Sequence, residues 1–263
     1  MELKKISIVT ISFNQAEFLS QTINSILDQD YENLEYIIVD AGSTDGSREI
    51  IESFANRISK IIFEKDNGPA DGLNKGFHLA SGEIFGYLNS DDILYPGVLR
   101  KVGKEFLKTK VDVLSAHGHI INEQNEKIKR IFSHNFDLKQ YCLKNCVVIQ
   151  PSTFFKASLF KKSKGFNVQN KIAWDGELML DLSKLGANFI VKNQFWSGFR
   201  LYSNSISGNE EYSKKLKEDY LRLSKKHGIK TPGFLLSKLF WMLNWFSQPS
   251  VLFQRLLSIF ISK

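Results

Sequence analysis

The sequence predicts an α/β fold, in which helices flank a doubly wound, mostly parallel sheet and a helical tail follows at the C-terminus. Two observations point to it. β-Branched apolar runs alternate with segments of helical periodicity between residues 6 and 106, a pattern typical of parallel strands joined by crossover helices. Two acidic strings, VDAGSTDGS at 39–47 and LNSDD at 88–92, each follow a predicted strand, at the edge where open α/β sheets bind ligands.

The first half of the chain supplies the parallel part of the predicted sheet. Its strands are expected at 6–12, 34–40, 58–64 and 84–89, where β-branched and aromatic residues cluster. Helices are expected at 16–29, from the turn-rich string at 42–47 to about residue 53, at 71–80, and at 96–106 with proline in the first turn.

The alternation loosens after residue 111. We expect strands at 111–119 and 127–133, a helix at 138–143, a helix at 175–185 that ends at Gly186, and a short strand at 189–191. This half would complete the sheet.

Charge and cysteine usage suggest two domains and a reducing compartment. Residues 213–263 hold ten Lys or Arg against two acidic residues, so the first 212 carry −1 of the total +7. We therefore expect a domain at 1–212, a basic helical tail at 213–263, and no nucleic-acid partner. Cys142 and Cys146 lack further ligands at zinc spacing and are expected to be buried thiols. The N-terminus has no signal-peptide pattern, which predicts a cytoplasmic protein.

Five segments resemble a known family, and they occur in its order. They are SIVTISFNQAEFLSQTINSILDQDY, IIVDAGSTDGS, DNGPADGLNKGFHLASGEIFGYLNSDD, QPSTFFKASLF and IAWDGELML. Together they resemble the family 2 inverting glycosyltransferases of the Rossmann-like GT-A fold, near the branch that builds bacterial surface polysaccharides. The resemblance covers roughly residues 5–205. It implies a nucleotide-diphosphate sugar donor, preferably a UDP-sugar, and a glycan or lipid-linked glycan acceptor.

The resemblance also implies the residues of the donor site. Asp40 would accept a hydrogen bond from the base, and Phe13 would offer an aromatic contact. The alternative for Asp40 is a turn or helix N-cap, and an N-cap role is equally open for Asp71. The expected nucleotide-sugar contacts are Thr10, Ser12, Phe13, Asp40, Asp71, Asn89, Ser90 and Asp91.

LNSDD occupies the place of the family's metal-binding motif. Asp91 and Asp92 would hold Mn²⁺ or Mg²⁺ against the donor diphosphate. The sequence departs from the commonest form because Asn89 stands at the first acidic position, and an amide oxygen coordinates more weakly than a carboxylate. The alternative is a solvated acidic turn.

Inverting transfer needs a carboxylate that removes the acceptor hydroxyl proton. By position, Asp175 resembles the general base, with Glu177 as the nearest rival and a helix cap as the alternative. Gln150 and Trp174 are candidate sugar contacts. Arg200, together with residues 203–208, falls where related enzymes carry a loop that closes over the diphosphate.

The tail contains two apolar runs, at 233–246 and 251–261, each too short to span a bilayer. Trp and Phe beside basic residues are typical of helices in a membrane interface, which predicts peripheral binding at the inner face of the cytoplasmic membrane. Packing on protein is the alternative. Two other functions stay open: a catalytically silent membrane-attached scaffold, and a nucleotidyltransferase, although the glycine-rich basic loop expected of the latter is missing after the first strand.

Overall fold

A nine-stranded sheet organises the part of the chain that the computed structural model describes, residues 3–202 and 210–229. The strands are β1 (Ile6–Ser12), β2 (Leu34–Asp40), β3 (Lys60–Phe63), β4 (Ile84–Asn89), β5 (Ile93–Leu94), β6 (Val113–Ile121), β7 (Lys127–Ile131), β8 (Thr153–Lys156) and β9 (Phe189–Arg200). Their spatial order is β3-β2-β1-β4-β8-β6-β9-β5, with β7 paired to β6. The first four are mutually parallel, β6 and β9 are parallel, and β5, β7 and β8 run antiparallel to their neighbours. The predicted α/β fold with a mostly parallel sheet is confirmed.

Helices cover both faces of the sheet. They are α1 (Ala16–Leu27), α2 (Ser47–Ser53), α3 (Pro69–Leu79), α4 (Val98–Lys108), α5 (Leu138–Cys142), α6 (Ala157–Ser163), α7 (Trp174–Lys184) and α8 (Glu210–Lys226). Because successive side chains of a strand point to opposite faces, Ile8 joins one apolar cluster with Ile23, whereas Val9 joins a second with Phe77. Burial on both faces explains why β1 is a nearly continuous apolar run.

Glycine allows α3 to pack closely on the centre of the sheet. A Cβ at Gly76 would lie 2.5 Å from a methyl carbon of Val9, so a larger residue would push the helix outward. Pro69 stands in the first turn of α3, where its missing N–H costs no hydrogen bond. The helix thus begins close to the carboxyl ends of β1 and β2, where a ligand would bind.

Several boundaries differ from the predicted ones for structural reasons. The fourth helix begins at Val98 rather than residue 96, because Gly97 precedes it with φ of +72°. β9 continues past residue 191 to Arg200 because it pairs with β6 along its length, with irregular register near His117. β5, β8 and α6 were not predicted. β8 has only four residues and inserts between β4 and β6.

The boundary expected at residue 212 falls inside α8, which packs on the domain that precedes it. Leu223 is fully buried in a cluster with Tyr141 and Cys142 of α5, and the Ser224 hydroxyl donates to the Cys142 carbonyl at 3.1 Å. Cys142 and Cys146 are buried free thiols, as predicted. None of the described helices is long and apolar enough to cross a membrane. The two apolar runs predicted to bind the membrane, 233–246 and 251–261, lie outside the described residues, so their role stays a prediction.

Candidate functional site

A cleft of about 670 Å³ opens where β1 and β4 end and α7 begins. The predicted site residues that line it are Ser12, Phe13, Asn89, Ser90, Asp91, Gln150, Trp174, Asp175 and Arg200. These residues come from five separate parts of the chain and meet at the carboxyl edge of the parallel strands. A concave pocket with a few convergent polar groups is the usual form of a small-molecule site.

Asp91 is the carboxylate that the loop after β4 presents to the cleft. Its Oδ2 accepts a hydrogen bond from the Tyr202 hydroxyl at 3.4 Å, and burial raises the pKa of the Asp91 carboxyl above its ordinary value. Nearby, the Asn89 Oδ1 atom is buried without a hydrogen-bond partner among the described residues. The loop therefore offers a carboxylate and an unsatisfied amide oxygen on the same side of the cleft.

Asp92 points away from the cleft. Its side chain is buried, its Oδ1 accepts the Arg200 backbone N–H at 2.9 Å, and it is absent from the cleft lining. Burial, reinforced by the neighbouring Asp91 charge, holds the pKa of Asp92 well above its usual range. Asp92 was predicted as a second metal ligand; that role stays a prediction, and the geometry supports Asp91 better.

Arg200 fastens this loop to the rest of the protein. Its Nε donates to the Asp91 carbonyl at 2.7 Å, and its Nη atoms donate to the Asn122 carbonyl at 2.6 Å and to Asn125 Oδ1 at 2.7 Å. The guanidinium also lies 4.5 Å from the centre of the Phe18 ring. The Arg200 guanidinium, which was predicted to lie near the diphosphate, is therefore already hydrogen-bonded within the protein. The accompanying loop, 203–208, lies outside the described residues.

Asp175 lies in the first turn of α7 and lines the cleft. Its Oδ1 accepts the Gly176 N–H at 2.7 Å, and no described lysine or arginine pairs with it. Burial raises the pKa of the Asp175 carboxyl. Such a group is poised to take up a proton near neutral pH more readily than an ordinary aspartate.

Glu177, the rival candidate for the base, lies in a different environment. It is 1% exposed, and its carboxylate accepts hydrogen bonds from Arg222 at 3.0 Å and Lys226 at 2.6 Å. Asn170 donates to it as well, at 2.7 Å. Burial alone would raise the pKa of Glu177, but these donors lower it to about 2. Glu177 is held as an anion and does not line the cleft.

Gln150 and Trp174, the predicted sugar contacts, both line the cleft. The Gln150 amide donates to the Tyr87 carbonyl at 2.8 Å, which leaves its Oε1 buried without a described partner. Gln150 and Asp175 also line a second, small cavity of about 20 Å³ behind the cleft. Trp174 packs against Tyr87 and Phe166, with ring centroids 5.7 and 5.3 Å apart.

Three residues that were predicted to contact the nucleotide sugar do not line the cleft and accept local hydrogen bonds instead. Asp40 accepts hydrogen bonds from the Ser43 N–H at 2.9 Å and Arg48 Nε at 3.2 Å; burial would raise the pKa of Asp40, but these donors lower it. Asp71 accepts the Asn67 N–H at 2.9 Å, and Thr10 accepts the Tyr36 hydroxyl at 3.0 Å. Their nucleotide contacts stay predictions. The turn alternative for Asp40 matches its observed bonds, whereas the N-cap alternative for Asp71 is wrong, because Gly68 is the N-cap and Asp71 lies within the first turn of α3.

The cleft also contains residues that the sequence did not single out. Asp66, Lys171 and Tyr202 line it. Burial raises the pKa of Asp66, and Lys171 donates to the Asn67 carbonyl across the cleft entrance. Asp66 could have been found, because it follows the end of β3 much as Asp40 ends β2. Lys171 and Tyr202 carried no comparable signal.

The described residues contain no group of three or more His, Cys, Asp or Glu side chains arranged as metal ligands. Mg²⁺, however, is commonly held by one or two carboxylates together with substrate phosphates. Asp91 and the unsatisfied Asn89 Oδ1 provide that kind of oxygen donor at the cleft. The residues present therefore fit a divalent cation that is completed by a diphosphate.

Two glycosyltransferases are similar in sequence to this chain. Putative teichuronic acid biosynthesis glycosyltransferase TuaG of Bacillus subtilis is 28% identical over 231 residues, which are 86% of this chain and 90% of TuaG. An uncharacterised glycosyltransferase of Nostoc sp., alr2836, is 35% identical over 127 residues, 47% of this chain and 39% of that protein. The chain thus spans about two fifths of the Nostoc protein.

Solved structures at low sequence identity share the fold. Residues 1–349 of S. aureus TarS with UDP-GlcNAc give a TM-score of 0.65 at 19% identity, covering 82% of this chain and 66% of the TarS chain. The mannosyltransferase PcManGT of Pyrobaculum calidifontis, with GDP-Man and Mn²⁺, gives 0.66 at 18%, covering 95% and 73%. A model of the family "Glycosyl transferase family 2" matches residues 7–164. This chain has the GT-A fold and belongs to glycosyl transferase family 2.

Proposed function

We propose that this protein is an inverting glycosyltransferase of cell-surface polysaccharide synthesis. It moves a hexosyl or N-acetylhexosaminyl group from a nucleotide-diphosphate sugar, preferably a UDP-sugar, to a hydroxyl of a glycan or lipid-linked glycan. One observation carries the proposal. Of the two carboxylates in the first turn of α7, Asp175 faces the cleft without a described cation, whereas Glu177 is neutralised by Arg222 and Lys226.

Asp175 acts as the general base of this reaction. It takes the proton of the acceptor hydroxyl while that oxygen bonds to the anomeric carbon. The bond from that carbon to the diphosphate breaks, and the nucleoside diphosphate leaves with the electron pair. Attack opposite to the leaving group inverts the anomeric configuration. The raised pKa of Asp175 suits a group that must accept a proton.

Asp91 and Asn89 would hold Mn²⁺ or Mg²⁺ together with the donor diphosphate. The cation would offset the negative charge that develops on the leaving nucleotide. Arg200 keeps the Asp91 backbone in place through its 2.7 Å hydrogen bond to the Asp91 carbonyl. The Mn²⁺ in the PcManGT complex supports a metal-dependent reaction for this chain.

The proposed partners follow from the relatives and from the tail. The name of TuaG and the UDP-GlcNAc bound to TarS support a surface-polysaccharide acceptor and a UDP-sugar donor. Residues 230–263 are aromatic and basic, which supports peripheral attachment to the inner face of the cytoplasmic membrane, near a lipid-linked acceptor. No nucleic-acid partner is proposed.

The test is a turnover assay with UDP- and GDP-sugars, Mn²⁺ or Mg²⁺, and bacterial membranes as acceptor. We expect one sugar to be transferred with release of the nucleoside diphosphate, inversion at the anomeric carbon, and loss of activity with chelator. In a parallel assay with a nucleoside triphosphate and a sugar 1-phosphate, release of pyrophosphate would instead indicate a nucleotidyltransferase. Absence of both turnover and nucleotide-induced thermal stabilisation would favour the silent scaffold.

A further inference from the structure

Helix α8 lies beyond the residues that the family model matches, 7–164, yet it contacts the turn that carries Asp175. Arg222 Nη2 and Lys226 Nζ, one turn apart on α8, lie 3.0 and 2.6 Å from the two carboxylate oxygens of Glu177. Glu177 is 1% exposed, while the two cations are 42% and 44% exposed. Glu177 is thus a buried anion on α7, and its two cations are partly exposed side chains of α8.

The geometry of an α-helix relates Glu177 to Asp175. Residues two apart are separated by about 200° around the helix axis, because each residue turns about 100°. Asp175 faces the cleft, so Glu177 points to the opposite side, towards α8. Any rotation of the first turn of α7 that moved Asp175 would have to pull Glu177 from its two cations.

A second set of contacts ties the segment before α7 to the same helix. The Ala173 N–H donates to Asn170 Oδ1 at 2.9 Å and to Asp219 Oδ2 of α8 at 3.2 Å. Asn170 also donates to Glu177, and Arg222 Nε donates to Asp219 at 3.0 Å. The four side chains form one connected cluster around the N-terminus of α7. Ile172 and Trp174, which flank Ala173, line the cleft.

We propose that Arg222 and Glu177 are positioning residues that set the orientation of Asp175 from behind the cleft. This inference rests on the proposed function, in which Asp175 is the base. Loosening the cluster lets the first turn of α7 fray, and the carboxylate no longer meets the acceptor hydroxyl. The described partners of Asp91 are Arg200 and Tyr202, which lie outside this cluster, so the donor site stays intact. The proposal therefore separates kcat, which falls, from the donor KM, which does not change.

The kinetic test compares Arg222→Met with Lys225→Met. The second variant is the control, because it removes an exposed cation from the same helix. In the full chain we expect kcat of Arg222→Met to fall about tenfold to a hundredfold, since small displacements of a catalytic group have costs of this size. The donor KM should stay within about twofold. Arg222→Lys should recover most of kcat. The double variant Glu177→Gln/Arg222→Met should regain stability, because no unpaired anion stays buried, but not kcat.

Two kinetic outcomes would overturn the proposal. One is a lower melting temperature of Arg222→Met with unchanged kcat per folded enzyme. The other is a donor KM that rises while kcat stays constant. Either would show that the cluster serves stability or donor binding and does not position the base.

Amide hydrogen exchange tests the same claim without an acceptor or donor. We expect faster exchange at 173–177 in Arg222→Met, with the central strands unchanged and Lys225→Met like wild type. Unchanged protection at 173–177 would refute the positioning role even if wild type turned over no nucleotide sugar. The absence of turnover alone would refute the proposed function, so the two failures are distinguishable.

Discussion

The acidic loop after β4 and the first turn of α7 each contain two carboxylates that lie in different environments. In each region one carboxylate faces the cleft, Asp91 or Asp175, and its neighbour is buried in the protein, Asp92 or Glu177. Each buried carboxylate is bound by a residue beyond the family match at 7–164. Asp91 lies within the matched residues and Asp175 lies beyond them, and in both regions residues from the C-terminal part of the chain bind the buried neighbour.

The two buried carboxylates differ in their partners, and their pKa values move in opposite directions. Asp92 accepts one backbone N–H and keeps an unpartnered oxygen, so burial raises its pKa strongly. Glu177 is bound directly by two cations and two amides, which lower its pKa to about 2 despite burial. The comparison shows that direct charged donors can keep a buried acid ionised.

The largest effect is expected from Asp175→Asn, which keeps the size of the side chain and removes the base. Transfer should fall about 10²–10⁴-fold, the usual contribution of a general base. The rate of sugar transfer, measured as nucleoside diphosphate release, checks this. Asp181→Asn on the same helix is the control and should stay close to wild type. Equal turnover of Asp175→Asn and wild type would remove Asp175 from the mechanism.

The next largest effect is expected from removing the side chain that binds the acidic loop. Arg200→Met should lower the free energy of unfolding by about 3–5 kcal/mol, because Arg200 is buried and the loss of its guanidinium leaves the Asp91 and Asn122 carbonyls without their donor. Urea denaturation measures it. Arg100→Met removes an exposed ion pair with Asp30 and should cost about 1 kcal/mol or less. Similar costs for the two variants would show that the Arg200 contacts add little.

A smaller, pH-dependent effect separates Glu177 from Asp175. The pKa of Glu177 is lowered from 4.5 to about 2, so its stabilisation is complete above about pH 4.5 and disappears as the pH falls towards 2. The unfolding free energies of wild type and Glu177→Gln should therefore converge over that interval. The pKa of Asp175 is raised, so its ionisation opposes folding at neutral pH and that cost disappears on acidification.

Urea denaturation at a series of pH values measures both effects. Protonation of Asp175 should add slightly to the unfolding free energy of wild type on acidification, and this increase should be absent in Asp175→Asn. A constant difference between wild type and Glu177→Gln from neutral to acidic pH would contradict the role of Arg222 and Lys226 as its counter-charges.

The smallest effect is expected from removing the tail. A chain that ends at residue 229 keeps α8 and should melt like the full protein, whereas one that ends at 209 exposes the cluster around Tyr141 and Cys142 and should melt earlier. Vesicle flotation of the chain ending at 229 tests the tail separately. If it still floats with anionic vesicles, the tail is not the membrane anchor.

The sequence predicted the parallel half of the fold because its signals are local. β1, β2 and β4 are apolar runs, and each meets turn chemistry at its end. Asp91 was found because it follows a predicted strand and resembles a family motif, whereas Asp175 was found through the family resemblance alone. The length of β9 and the existence of β8 depend on pairing with β6, which spacing does not reveal.

The partners of the site carboxylates could not be predicted, since they are distant in sequence. Glu177 pairs with Arg222, 45 residues away, and Asp92 with Arg200, 108 away. Asp40 resembled a nucleotide contact, yet its oxygens accept hydrogen bonds from the turn that follows and from Arg48. A short acidic string shows where carboxylates are, but only the fold shows which of them are already bound.

The central claim is that Asp91 and Asp175 have separate tasks, donor binding and proton removal. Calorimetric titration of UDP and GDP into wild type, Asp91→Asn and Asp175→Asn, each with Mn²⁺ and with chelator, tests it most directly. We predict Mn²⁺-dependent binding of one nucleotide to wild type and to Asp175→Asn, and loss of that dependence in Asp91→Asn. Mn²⁺-dependent binding of equal strength in Asp91→Asn and wild type would contradict the account.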